Sequence, residues 1–199
     1  MLTLAFDTAT DVATVALVRD GDVLGERASR AVRVLADVEE ILRDAGLRSA
    51  DVEGLVVGTG PGSYTGLRMG LITARTLAFS LGVPLAGVST LDALAAGAPG
   101  AVPVLDGKRS EVFTLLEGEP RCLSAADLPV EAGRAYVGDG AVRHRARIEA
   151  AGGTVAPDDA RVHVPWARHH ASLARDFGPA ESAEPIYLRV PDADRAVQR

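Results

Sequence analysis

Two stretches of this chain follow one plan, and that repeat restricts the fold more than any other feature. The first runs LTLAFD (2–7), TATD, VATVALV (12–18) and RDGD (19–22). The second, about a hundred residues later, runs VPVLD (102–106), GKRS, EVFTLL (111–116) and EGEP (117–120). Each is an apolar run closed by an aspartate, then a polar turn, a second apolar run and a tight reverse turn, the pattern of a β-hairpin. A chain that opens two hairpins so far apart is expected to build two similar lobes, each starting its own sheet. We place the division at GAPGA (97–101), giving an N-terminal lobe over 1–98 and a smaller C-terminal lobe over 99–199.

Between and after the hairpins the periodicity becomes helical. Ala31, Val34, Leu35, Val38, Ile41, Leu42 and Ala45 recur at spacings of three and four, with Gly46 placed to end the helix. Residues 23–28 read as a third strand and GLVVG (54–58) as a buried one. The segment TGPGSYTGLRMGLITARTLAFSLGVP predicts a glycine-rich turn and a long helix stopped by Gly82, with Pro84 beyond. Ser89 and Thr90 open a short helix, AYVG (135–138) reads as a strand, and helices are expected near 141–151 and 165–177. Hairpins alternating with helices give the α/β class.

Charge and cysteine content narrow the function. The formal net charge is −6, and a phosphate backbone is bound by clustered Lys and Arg, so nucleic-acid binding by this chain alone is not expected. Cys122 is alone, which forbids an intramolecular disulfide and suits a reducing compartment. MLTLAFDT has no basic stretch ahead of an apolar one, so it does not read as a secretory leader, and no run of about 18 apolar residues suggests a membrane span. A cytoplasmic location is the expectation.

Three groups of residues could carry function. In GPGSYTGLRMGL (60–71), Ser63 or Thr65 can cap the helix. The helix then sets Gly62, Gly66, Gly70, Ala74 and Ala78 four apart, a row that lets another backbone come close. Spacing alone leaves a docking face and internal packing both open; the turn lacks the GKS or GKT of a phosphate loop. Asp7 and Asp106, at strand ends, are where a two-lobed phosphotransferase would hold a hydrated magnesium. The first turn keeps Thr8 and Thr10 for a phosphate, so Asp7, Thr8 and Thr10 read as a vestigial phosphate turn or a simple turn cap. The second, DGKRSE, is filled with bulky charges, and Asp106 reads as a turn cap. His144, His163, His169 and His170 form no HExxH pair and read as solvated surface residues, so no metal is expected. Arg143, Arg145 and Arg147 read as a solvated surface, and Cys122 as a small buried thiol.

FDTATDVATVALV, GPGSYTGLRMGLITARTLAF, VPVLDGKRSEVF, YVGDGA and PIYLR, in that order along nearly the whole chain, resemble the TsaB (YeaZ) family. The resemblance implies two actin-like lobes (the ribonuclease H-like, actin/Hsp70/sugar-kinase or ASKHA fold), each a mixed sheet with flanking helices, in a group once labelled M22 glycoprotease-like. It implies a non-catalytic subunit without cofactor in tRNA threonylcarbamoyladenosine synthesis. Such a subunit pairs with a catalytic paralogue, TsaD, which modifies the adenosine beside the anticodon. A TsaE-type ATPase joins the assembly, tRNA is met only within the complex, and self-association through the docking face is a further expectation. Carried onto this chain, the docking face is Gly66, Leu67, Arg68, Met69, Gly70, Thr73 and Ala74, with Leu35 and Val38 from the preceding helix. The alternatives are an active ATP-dependent phosphotransferase or ATPase of the same fold, which would need two intact phosphate turns, and a metal-dependent M22-type peptidase, which would need the missing histidine pair. A self-sufficient homodimeric scaffold is a third.

Overall fold

The structure is a computed structural model and describes residues 1–189. The first lobe opens with β1 (Leu2–Asp7), β2 (Ala13–Arg19) and β3 (Asp22–Ser29). A single 3-10 turn at Ala31–Arg33 leads into α1 (Val34–Asp44), then β4 (Gly54–Gly58), α2 (Tyr64–Leu81), β5 (Leu85–Val88) and α3 (Thr90–Gly97). The second lobe holds β6 (Val102–Lys108), β7 (Glu111–Leu116), β8 (Glu119–Ser124), β9 (Ala135–Val137), α4 (Asp139–Arg143), α5 (Arg145–Ala150) and β10 (Thr154–Val155). The last α-helix among the described residues is α6 (Ala167–Leu173).

The repeat seen in the sequence is a repeat of topology. One five-stranded sheet has the order β3-β2-β1-β4-β5 and the other β8-β7-β6-β9-β10. In each, an antiparallel meander is followed by two parallel strands. Both meanders turn on an Xaa-Gly pair with positive φ at both residues, Asp20 (51°) and Gly21 (94°), then Glu117 (54°) and Gly118 (82°). These are the angles of the tight hairpin turn whose twist matches that of the strands.

Apart from the edge strand β3, the first sheet is buried on both sides. Leu2, Leu4, Phe6, Val15, Leu17, Leu55 and Val57 pack with Val38, Ile41 and Leu42 of α1 and with Leu67, Leu71 and Ala74 of α2. On the other side lie Ala5, Ala16, Val56 and Ala86, small enough for α6 to approach through Ala167 and Ala174. In the second sheet, Val104, Val112 and Tyr136 pack with Ala141 and Ile148. Leu105, Phe113 and Val137 pack with Leu91 and Leu94 of α3.

Several expectations need correction. The chain does not divide once at 98/99: α6 packs on the first sheet, and Gly178 bridges to Leu85 of β5. The expected helix over 141–151 is broken at His144 into α4 and α5, and that over 165–177 is confined to Ala167–Leu173. Of the arginines read as solvated, Arg143 is exposed, but Arg145 and Arg147 are ties inside the second lobe. Arg145 donates to the carbonyls of Val155 and Ala156, and Arg147 to those of Ala126 and Leu128. Cys122 is half-buried against the α3-facing core.

Candidate functional site

The two lobes face each other across a cleft of about 460 Å³, lined among others by Thr10, Asp11, Ser63, Tyr64, Asp106, Lys108, Asp139 and Tyr187. The turn after β1 and the turn after β6 both reach it, but neither has its acidic residue free. Asp7 is 1% exposed and does not open on the cleft. Its Oδ1 accepts from the Ala9 amide at 2.6 Å and its Oδ2 from the Thr90 hydroxyl at 2.6 Å. The Oδ2 atom also lies 2.8 Å from Nε2 of His170, which α6 brings across the sheet. Burial by itself would raise the Asp7 pKa; the imidazole beside it and the bonds from Thr90 and Ala9 carry it below the usual carboxylate range. Gly58 has no side chain because a Cβ there would sit 2.2 Å from the Asp7 carboxyl carbon.

The expectation that the histidines are solvated is therefore wrong for His170, which is fully buried. It is also wrong for His163, 6% exposed, whose Nδ1 accepts from the Gly138 amide. The Asp7–His170 contact joins residues too far apart in sequence for any spacing to reveal; the one available signal was a histidine on a helix otherwise facing the sheet with alanines.

Asp106 caps its turn by accepting from the Lys108 amide at 2.9 Å. Its carboxylate faces Lys108 Nζ at 3.2 Å and Arg143 at 3.5 Å. Lys108, the single lysine of the chain, also reaches Asp11 of the other lobe at 3.1 Å. Burial alone would lower the Lys108 pKa, but its bonds to Asp11 and Asp106 raise it, so the ammonium is retained. Asp139 receives the Asp106 amide at 2.9 Å; burial, with Asp106 nearby, raises its pKa. Among the described residues no group of three His, Cys, Asp or Glu side chains converges as metal ligands.

The small-residue row of α2 serves this same turn. Thr8 donates its hydroxyl to the Gly66 carbonyl at 2.7 Å. A Cβ at Gly62 would meet the Ala9 carbonyl oxygen at 2.2 Å, at Gly66 the Thr8 carbonyl oxygen at 2.2 Å, and at Gly70 the Thr8 Oγ1 at 2.3 Å. The row is thus a seat for the chain's own β1–β2 turn, and the expectation that Gly66 and Gly70 meet a partner is corrected. Leu67, Ala74 and, on α1, Val38 are corrected with them, since all three are buried in the first lobe's core. Arg68, Met69, Thr73 and Leu35 do lie on the outer side, Met69 and Thr73 half-buried. Thr10 spends its hydroxyl on the Val12 carbonyl.

Sequence reasoning missed the strongest outer features. Ile72 is 64% and Phe79 85% exposed on α2, at the helical spacing of Thr65, Arg68, Met69 and Thr76. Val32 is 79% and Leu35 58% exposed, in and just after the 3-10 turn that touches α2. No described helix is long and apolar enough to cross a membrane.

Comparison with known proteins agrees with this geometry. Residues 12–131, more than half of the chain, match a family model described as TsaD: tRNA N6-adenosine threonylcarbamoyltransferase. An uncharacterized protein of Mycobacterium tuberculosis H37Rv is 36% identical, covering 96% of this chain and 92% of its own length. The tRNA threonylcarbamoyladenosine biosynthesis protein TsaB of Bacillus subtilis is 37% identical over 57% of this chain and 54% of its own. The solved structure of YeaZ from Pseudomonas aeruginosa superposes with a TM-score of 0.76 at 28% identity, covering 94% of this chain and 99% of that one. Paired sheets of one topology around a cleft place the protein in the actin/Hsp70/sugar-kinase class. Within that class, the chain belongs to the TsaB/YeaZ family.

Proposed function

We propose that the protein is a non-catalytic subunit in tRNA threonylcarbamoyladenosine biosynthesis. In this reading it docks onto a catalytic paralogue of the TsaD type through the outer face of α1 and α2. The observation that carries it is the contrast within α2. The inner face, with Gly66 and Gly70, is filled by the chain's own turn, while Ile72 and Phe79 are left in solvent, as are Val32 and Leu35 in and after the 3-10 turn that touches α2. Large apolar side chains clustered on an outer surface are the usual mark of an interaction site. A paralogue of the same fold presents equivalent helices, so the two can pair about an approximate two-fold axis. Arg68, Met69, Thr73 and Leu35 border the apolar row and belong to the contact.

The cleft supports the non-catalytic part of the reading. Asp7 is sealed against His170, and Asp106 faces Lys108 and Arg143. A phosphate-bearing substrate would need those carboxylates for a metal and the turn amides for itself. A TsaE-type ATPase and tRNA would join only through the assembled complex.

The test is reconstitution. Threonylcarbamoylation of tRNA by the catalytic paralogue would be measured with this chain absent, present, or carrying Ile72→Asp and Phe79→Asp. Activity that depends on the wild-type chain, and association weakened about thirtyfold or more by the double variant, is the expected result. Full association of the double variant would remove the surface from the proposal. Sedimentation of the isolated chain separates a homodimer formed through the same face.

A further inference from the structure

After Ser182 the chain runs along the mouth of the cleft and touches both lobes in turn. Ala183 is buried with the first lobe's core, and its carbonyl accepts from Arg75 at 2.7 Å. The Ile186 amide donates to the Thr59 carbonyl at 2.8 Å. Two residues later Leu188 packs against the cluster that Leu105, Phe113 and Val137 of the second lobe form with α3. Arg189 donates to the Gly107 carbonyl and to Glu111, both at 2.9 Å, on the turn and strand that follow Asp106. Between these anchors Tyr187 lies over the start of α2, its ring 5.5 Å from that of Tyr64. The Arg68 guanidinium sits 4.2 Å from the Tyr64 ring centre and donates Nε to the Tyr187 hydroxyl at 3.3 Å.

We propose that residues 183–189 are a latch across the cleft, and that Tyr187 links the latch to the docking end of α2. The lobes also meet where α3 packs on β6 and β7 of the second sheet, so that contact can act as the hinge. Across the mouth, the latch is reinforced by the solvent-exposed Lys108–Asp11 pair, and exposed pairs of that kind contribute little. Opening the lobes would require Leu188 and Arg189 to leave the second lobe or Ile186 to leave the first.

The link to docking rests on the function proposed above. Arg68 uses Nε for Tyr187 and keeps its terminal nitrogens for an acceptor on a partner. A partner carboxylate that fixes the guanidinium also fixes Tyr187. Linkage makes this reciprocal: if docking tightens the latch, loosening the latch weakens docking by the same factor.

The experiment places spin labels at Asp22→Cys and Glu117→Cys, one on each lobe's exposed hairpin turn, in a Cys122→Ser background. Distances are read by pulsed EPR, and amide exchange is followed across 59–66 and 105–113, which face each other over the cleft. For the isolated chain we expect one narrow distance population. Tyr187→Ala, and separately Arg189→Ala, should add a longer population and speed cleft-amide exchange about tenfold or more. Tyr187→Phe keeps the ring and should stay closed. Both substituted side chains are at or near the surface, and a retained thermal midpoint shows that each variant is folded. Unchanged distances and exchange in both alanine variants would overturn the latch. With the catalytic paralogue added, Tyr187→Ala should bind more weakly by the factor through which it opens the cleft; equal affinity would overturn the link while leaving the latch. If the wild-type chain does not bind the paralogue, the functional proposal fails, and the isolated-chain measurements still decide the latch.

Discussion

Adding one methyl group at Gly66 separates folding from docking. The ideal Cβ would lie 2.2 Å from the Thr8 carbonyl oxygen, and backbone cannot swing aside as a side chain can. Overpacking of this kind costs about 1–3 kcal/mol. Displacing Thr8 also disturbs its 2.7 Å bond to the Gly66 carbonyl, with a net loss of about 1 kcal/mol. Alanine returns about 1 kcal/mol in helix propensity. The sum is a destabilisation of roughly 1–3 kcal/mol, which for a chain of 199 residues lowers the thermal midpoint by roughly 2–12 °C. At Gly70 the obstacle is the Thr8 Oγ1 at 2.3 Å, a side-chain atom. Gly70→Ala should therefore destabilise the wild type, and the penalty should shrink in a Thr8→Ala background, whereas that of Gly66→Ala should persist. A double-mutant cycle by differential scanning calorimetry measures the difference. Were Gly66→Ala to keep its midpoint and lose association with the paralogue, the glycine row would face a partner and our account of α2 would be wrong.

Other outcomes follow from the cleft. His170→Ala leaves the Asp7 carboxylate buried without its partner and should cost about 3–5 kcal/mol at neutral pH. Because the folded Asp7 pKa is depressed, the stability it contributes is present above the ordinary carboxylate pKa of about 3.9 and lost as pH falls through the lower folded value. The gap between wild type and variant should close in acid, as followed by denaturant titration. Asp139 is the opposite case: its folded pKa is raised, so its favourable contribution is lost as pH rises through that value. Asp139→Asn, which can still accept from Asp106, should be the more stable form at neutral pH and converge with wild type below about pH 4. A ligand at ten times its Kd would add about 1.4 kcal/mol; magnesium with ADP should leave the midpoint unmoved, and a clear rise would show that the cleft still takes a nucleotide.

The hairpins were readable because their signals are local. Alternating apolar runs, an aspartate and an Asp-Gly or Glu-Gly turn specify a strand pair without reference to the rest of the chain. In the second sheet AYVG was readable and forms β9, but β10 has only two residues, too short for any period to register. The return of α6 to the first lobe is encoded only in the small residues Ala5, Ala16 and Ala86 on one face of that sheet, and smallness does not say what it admits. The glycine row posed the same difficulty. Four-residue spacing announced a close approach but not its occupant, and the nearest occupant was Thr8, a neighbour in space supplied by the chain itself. Exposure of Ile72 and Phe79 could be known only once the inner face of α2 had been assigned.

The two aspartates show how carboxylates at or near strand ends can serve the packing of a fold. A carboxylate taken out of water needs positive charge or donors, or it protonates. In a metal-dependent site of this class an ion could meet that need; here Asp7 meets His170 and two donors, and Asp106 meets Lys108, Arg143 and its own turn amide. Each substitute ties the turn to an element distant in sequence: His170 binds α6 to the first sheet, and Lys108 reaches the other lobe through Asp11. The compensating charge is part of the permanent packing. In the first lobe, α2 is held from within by the β1–β2 turn. In the docking proposed above, a surface fixed in this way before binding would lose little freedom on contact.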